Sequence, residues 1–396
     1  MPAVLCRDVH DSAGVGQILR RADTTACAGV TSFYSPWVGR KRKTPIAIEA
    51  TDPLAAARTA KLRYVDVDEE PGFGRRRCGS GFAFLTTRGA FLKNKGHIER
   101  ARSLAIPPAW SKVWICTTAD GHIQATGRDA RARKQYRYHA RWREVRDEAK
   151  FDRLVSFVEA LPSIRRRSRR DLKLKGLPRD KVVAAVIRFL DCAHLRIGNE
   201  EYAVRNKTFG LTTLRDRHVE VSGDSIEVEF RGKSNKRRSL SLDDPLLAKI
   251  TQRCEDLPGQ RLFQYIDDDG DIVPVTSDMI NDYLQDLTGQ KITAKDFRTW
   301  AATLTCAVLL ETETPKKTKT ARAKQVKAAV VGASNVLGNT PTVCRKSYID
   351  PVVINAFLEG DLAAAVARHR DKARDKRPRD LGIEEAAVLG FLREAD

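Results

Sequence analysis

The chain has no apolar run approaching the ~20 residues that a membrane-crossing helix needs, so no such helix is expected. Its N-terminus lacks a charged segment followed by an apolar one, and the sequence is therefore expected to be intracellular. None of the eight cysteines (Cys6, Cys27, Cys78, Cys116, Cys192, Cys254, Cys306 and Cys344) stands in a C-x-x-C pair. That excludes zinc ribbons, argues against a disulfide framework, and points to reduced thiols in a cytosol. The acidic run around Gly270 fails as a calcium loop. With Gly270 at the sixth place, Tyr265 and Thr276 fall on the first and twelfth ligand positions, and neither fits. There is no internal repeat and no clear cluster of metal ligands.

Acidic residues are also in short supply. Against 71 Lys+Arg there are 51 Asp+Glu, giving a net charge of +20 over 396 residues. A polyanionic partner is the first explanation for such an excess, with a ribosome or an anionic membrane surface as other candidates. The length allows two or three domains, and 42% hydrophobic residues suffice for ordinary cores.

The texture changes along the chain. Residues 1–58 have no clear period and carry a basic run at Arg40–Lys43; they read as a loosely ordered extension. Residues 59–145 hold short β-prone runs broken by Gly and Pro, among them a hairpin with strands at Val113–Cys116 and His122–Ala125. The segment RDARARKQYRYHARW follows, alternating basic residues with Tyr136, Tyr138 and Trp142. Cations there suit phosphates, and Gln135 has the amide geometry for a bidentate contact to adenine.

From residue 146 onward helical periodicity dominates. Arg165–Arg170 read as a solvated or phosphate-facing connector, and PKKTKTARAK as a mobile basic linker. HVEVSGDSIEVEFRGKSNKRRSLSL reads as three strands, with Lys233 in the second turn. Thr293 is the expected cap of a helix bearing Arg298. In LGNTPTVCRKSY, Thr340 and Pro341 form a helix start, and Tyr348 lies about two turns on, beside Arg345 and Lys346. A phenol with a pKa near ~10 is a poor nucleophile at neutral pH unless cations stabilise its anion.

LRIGNEEY, FGLTTLRDRHVEV, FRGKS, KDFRTW and LGNTPTVCRKSY occur in that order. Together they resemble the active-site motifs of the type IB DNA topoisomerases, in the small poxvirus-like form that many bacteria carry. RKQYRYH resembles that family's DNA-contacting segment. The resemblance covers about residues 60 to 360.

It implies an α+β fold built as a two-domain clamp. A small β-rich N-terminal domain (59–145) would face a larger, mostly α-helical catalytic domain with a small β-sheet (146–396). It implies Tyr348 as nucleophile, Arg196 and Arg298 on the phosphate oxygens, and Lys233 as proton donor to the leaving 5′-oxygen, with Arg196 helping in the relay. Arg133, Lys134, Gln135, Tyr136 and Tyr138 would contact duplex DNA. No ATP or metal would be required, and the enzyme would be a cytoplasmic, nucleoid-associated monomer. Asn339 departs from the histidine common in the family; its amide can donate to a phosphate oxygen but carries no charge.

Two rival readings remain at this stage. A tyrosine recombinase would share the phenol–arginine chemistry, but usually carries H-x-L-R where this chain has Lys295-Asp296-Phe297-Arg298. A basic nucleic-acid-binding protein without activity would be indifferent to loss of the Tyr348 hydroxyl.

Overall fold

In a computed structural model, residues 4–5, 52–130, 132–233 and 236–395 are described. The basic run at Arg40–Lys43 lies outside them. The chain divides into two compact units. One spans residues 43–153; the other combines 1–42 with 154–396. The expected class holds: a sheet-rich N-terminal unit and a mainly helical unit carrying its own small sheet. The first strand, β1 (Val4–Leu5), belongs to the second of these sheets.

The sheet unit begins with α1 (Pro53–Thr59), capped by the Asp52 carboxylate on the N–H groups of Leu54 and Ala55. This corrects the loosely ordered reading of residues 53–58. Alanines are poor markers of a core in sequence, yet Ala56, Ala57 and Ala60 pack with Leu62 beneath Trp142. Five antiparallel strands follow: β2 (Phe73–Cys78), β3 (Gly81–Leu85), β4 (Ser111–Ile115), β5 (Ile123–Arg128) and β6 (Lys134–Tyr138), in the order β3-β2-β4-β5-β6. Helix α2 (Lys95–Ser103) adds Ala101 to a core of Phe73, Phe84, Ile115 and Ala125. The hairpin expected at 113–125 is β4–β5.

Helix α3 (Ala140–Asp171) contains the boundary between the units and also contains Arg165–Arg170. These arginines are therefore helical rather than a connector. Some of their counter-charges come from elsewhere in the chain, Arg165 with Asp191 and Glu385 and Arg169 with Asp380, while Arg167 and Arg170 pair with Asp171 of the same helix. The helical unit continues with α4 (Arg179–Ala193), buried over most of its length, and α5 (Glu200–Asn206). Strands β7 (Val219–Ser222), β8 (Ser225–Arg231) and β9 (Arg237–Asp243) are the three that were expected. Ile226, Val228 and Phe230 alternate into the core, and β1 pairs in parallel with β9.

Next come α6 (Pro245–Glu255), the hairpin of β10 (Gln264–Ile266) and β11 (Ile272–Pro274), and α7 (Ser277–Thr288). Helix α8 (Ala294–Glu311) is the hub. It packs on α4 and on α9 (Lys319–Leu337), and α10 (Pro341–Ser347) follows. It also meets α11 (Pro351–Glu359), α12 (Leu362–Asp375) and α13 (Ile383–Ala395).

The basic stretch read as a mobile linker runs into α9, which takes up its residues from Lys319 onward. Thr318 caps it, and Arg322 binds the Lys316 and Leu358 carbonyls at 2.7 and 2.6 Å. Cys192 is disulfide-bonded, against the reading of all eight thiols as reduced. No helix among the described residues is long and apolar enough to cross a membrane.

Candidate active site

Four segments of the helical unit converge. The first is the loop after α4. His194 ends that helix in the left-handed conformation (φ 51°), and Arg196 follows in an irregular segment. That segment is fastened by the second motif: Leu211 N–H donates to the Arg196 carbonyl (2.9 Å), and Thr212 N–H to Ile197 (2.7 Å). Gly198 and Gly210 let the two backbones cross. A Cβ on Gly210 would lie 2.6 Å from the Arg196 oxygen, closer than atoms approach. The motifs around Arg196 and Gly210 are thus one packing unit.

The second segment is the start of α8. Asp296 accepts from the Thr293 N–H (2.8 Å) and hydroxyl (2.9 Å), closing the first turn and placing Arg298 in the next. Arg298 is 2% exposed. Its guanidinium donates to the His194 and Leu337 carbonyls, the latter at 3.0 Å, and to Asn339 Oδ1 at 3.5 Å. Burial, then repulsion from Arg196, lowers its pKa to about 10, which still leaves it charged at neutral pH.

The third segment is the α9–α10 turn. Gly338 closes α9 at φ 61°, Asn339 follows, and Thr340 caps α10 by accepting from Val343 N–H. Arg196 donates to Asn339 Oδ1. Two guanidiniums aimed at one amide oxygen decide which way this amide is turned. Its Nδ2 is buried with no partner among the described residues, as is Nε of Arg298.

The fourth is Tyr348, the residue that ends α10. Its carbonyl accepts from Thr303 Oγ1 on α8 (3.2 Å), and the same hydroxyl accepts from Asp350 N–H (3.1 Å). The ring lies under Arg298, whose guanidinium carbon is 5.4 Å from the ring centroid. Burial alone would raise the phenol's pKa. The charges of Arg298 and then Arg196, an Arg298 hydrogen bond, and Lys295 outweigh it, so the pKa falls below the usual tyrosine value. Arg345 and Lys346, the neighbours in sequence, are exposed. The cations acting on the phenol come from other segments.

Arg196, Arg298, Asn339 and Tyr348 are therefore brought together. Lys233 is not: it is exposed in the turn after β8 and makes no described contact with the other four. Sequence reading missed three residues. Lys295 acts on the phenol from α8. The His194 carbonyl holds Arg298. Arg238, on β9, reaches the end of α9. Lys295 lies three residues before Arg298, one helical turn, and that spacing was a usable signal. Nothing local marks the other two.

In the sheet unit, Tyr136 and Tyr138 stack at 5.7 Å between centroids, and Lys134 lies 5.9 Å from the Tyr136 ring. Tyr136 is 40% exposed and so available to a partner. The polar heads beside it are held by carboxylates: Lys134 by Asp68 (2.8 Å), and Arg133 and Gln135 by Asp129 (2.8 and 3.0 Å).

Comparison with known proteins accounts for both units. Residues 139–358 match the family model of the eukaryotic DNA topoisomerase I catalytic core, and 81–129 that of the bacterial DNA topoisomerase IB N-terminal domain. The chain is 35% identical over 286 residues to DNA topoisomerase 1B of Acanthamoeba polyphaga mimivirus, spanning 70% of this chain and 85% of that protein. It is 23% identical over 252 residues to DNA topoisomerase 1B of Vaccinia virus (strain Copenhagen), spanning 61% and 74%. It is 26% identical over 183 residues to DNA topoisomerase 1 of Mycosarcoma maydis, spanning 42% and 18%. With a family model over more than half its length and most of the mimivirus protein covered, this chain belongs to the type IB DNA topoisomerases.

Proposed function

We propose that this enzyme relaxes duplex DNA by transient cleavage of one strand through Tyr348. The phenol oxygen attacks a backbone phosphorus, a 3′-phosphotyrosyl ester forms, and the 5′-oxygen leaves. The free end turns about the intact strand, and the 5′-hydroxyl then attacks the phosphotyrosine to restore the backbone. One phosphate diester replaces another at each step, so no nucleotide is consumed.

The observation that carries this reading is a phenol held against two guanidiniums, with an unpartnered amide donor on the same side. Arg298 and Arg196 ease loss of the phenolic proton and meet the charge that grows on the non-bridging oxygens. Asn339 Nδ2 is the further donor to one of those oxygens. Lys233 gives the leaving oxygen its proton, with Arg196 assisting; from its exposed turn it has to approach the phosphate when duplex is bound. All these groups are protein cations and donors, so no metal takes part.

The sheet unit grips the duplex through Gln135, Tyr136 and Tyr138, with Arg133 and Lys134 exchanging carboxylate partners for phosphates. The enzyme acts as a monomer on the DNA of the cell's nucleoid.

The test is relaxation of supercoiled plasmid in EDTA without nucleotide, with Tyr348→Phe beside the wild type. The wild type should relax it, and denaturant should trap a covalent adduct at Tyr348. The variant should bind DNA and do neither. Relaxation by Tyr348→Phe, or an adduct elsewhere, would falsify the assignment. Arg298→Ala should slow cleavage by about 10²–10³-fold, as loss of one aimed charge does.

A further inference from the structure

Arg238 is a half-buried cation that the reaction just described does not use. It stands on β9 opposite Phe230, on the strand that follows the turn bearing Lys233. Its side chain leaves the sheet for the C-terminal end of α9, where Nη2 lies 3.4 Å from the Val336 carbonyl. The last carbonyls of a helix have no partner within it and carry the negative end of its dipole, so a guanidinium there is well placed. Gly338 closes around this group. A Cβ at that position would fall on the guanidinium, and φ is 61°. The turn is completed by Gly338 N–H on Asn335 (3.1 Å) and Asn339 N–H on Ser334 (3.0 Å). Asn339 comes next.

We propose that Arg238 is a positioning residue for strand cleavage: it clasps the end of α9 and thereby holds the Asn339 amide between Arg196 and Arg298. The proposal rests on the reading of Tyr348, Arg196, Arg298 and Asn339 given above.

Three features agree with it. Burial and then the charge of Arg196 push the Arg238 pKa down, an opposition that the contact with the end of α9 has to outweigh. Among the described residues no carboxylate pairs with Arg238, which sets it apart from Arg165 or Arg370, each of which has two. Asn339 also needs outside support. A neutral amide has no charge to hold it in register, and its Oδ1 must face two donors at once while Nδ2 stays free. A turn locked from behind by Arg238 supplies that register.

The experiment is a double-mutant cycle read by single-turnover cleavage of a nicked duplex, using Arg238→Met, Asn339→Ala and both together. Each single variant should slow cleavage by roughly tenfold to a hundredfold, as loss of a hydrogen bond to a charged group does. The double variant should be little slower than Asn339→Ala alone, because Arg238 then has nothing left to position. Duplex binding, measured with the same changes in the Tyr348→Phe background, should stay within a few-fold. Multiplying losses would overturn the proposal, since Arg238 would then act independently of Asn339. A wild-type cleavage rate in Arg238→Met would also overturn it.

If Arg238→Met does not fold, Arg238→Lys with and without Asn339→Ala is read by the same rule: non-additive loss supports the proposal, additive loss or none overturns it. Should the wild type form no adduct at Tyr348, the mechanism itself has failed. An adduct in the wild type with no effect at Arg238 removes only this inference.

Discussion

At the scale of single residues, the chemistry rests on three tyrosines being treated differently by their surroundings. Tyr283 donates to Asp171 (2.8 Å), and both burial and that carboxylate drive its pKa far up. Tyr138 is raised mainly by burial. Tyr348 alone of the three is lowered, because guanidiniums outweigh its burial. A spectrophotometric titration of the wild type minus Tyr348→Phe should therefore show a phenol ionising below the ordinary ~10. Arg298→Gln should move that component upward. A difference curve centred at or above the ordinary value would remove the electrostatic basis of the nucleophile. Arg196, Arg298, Asn339 and Tyr348 were legible in sequence because each sits in a short contiguous motif, the last two sharing one. Arg238 and His194 were not. One acts through the length of its side chain and the other through a backbone carbonyl, and neither leaves a local pattern.

At the scale of elements, the end of α4 carries a pH dependence. Nδ1 of His194 is buried with no partner among the described residues, and burial, against the opposing charge of Asp191, brings its pKa down to about 4. The unfolded side chain titrates near ~6.5. Between those values the unfolded chain binds a proton that the folded one does not, so stability falls as pH drops through that window. Above ~6.5 the residue contributes no slope. Urea unfolding over a pH series should show this, and His194→Asn, which tolerates the left-handed turn, should flatten it. An unchanged slope would assign the effect to other groups.

The arginine run of α3 is a second case. Arg165 holds Asp191 (2.8 Å) and Glu385 (2.7 Å), and Glu385 also accepts from Trp300 (3.2 Å), so α3, α4, α8 and α13 meet at one guanidinium. Arg165→Met would leave two buried carboxylates unpaired and should cost about 3–5 kcal/mol in denaturant unfolding. A loss below ~1 kcal/mol would show the network to be slack. Helix periodicity gave the elements of this unit, but five arginines in six positions look alike whether they face water or a carboxylate two hundred residues away.

For the whole molecule, the net charge of +20 sets a prediction that no single contact makes. Duplex affinity should fall steeply with salt, log K decreasing linearly with log salt as released counterions require. Tyr348→Phe should share the wild-type slope, because the phenol neutralises no phosphate. Asp68→Asn should bind slightly tighter at low salt, since the carboxylate now on Lys134 competes with a phosphate for it. A flat salt response would mean that phosphates are not the main ligand.

The sequence by itself determined the two-part α+β class, the strand triplet around Lys233, the polyanion partner implied by charge, and the family. Those depend on composition, short-range periodicity and contiguous motifs, all of which are local. Only the tertiary structure decided which cations act on the phenol, that the arginine run and the second half of the basic linker are helix, and that Arg238 reaches behind Asn339. Each of these depends on side chains from segments far apart in the chain meeting in a low-dielectric interior, where distance in space and not in sequence sets the energy.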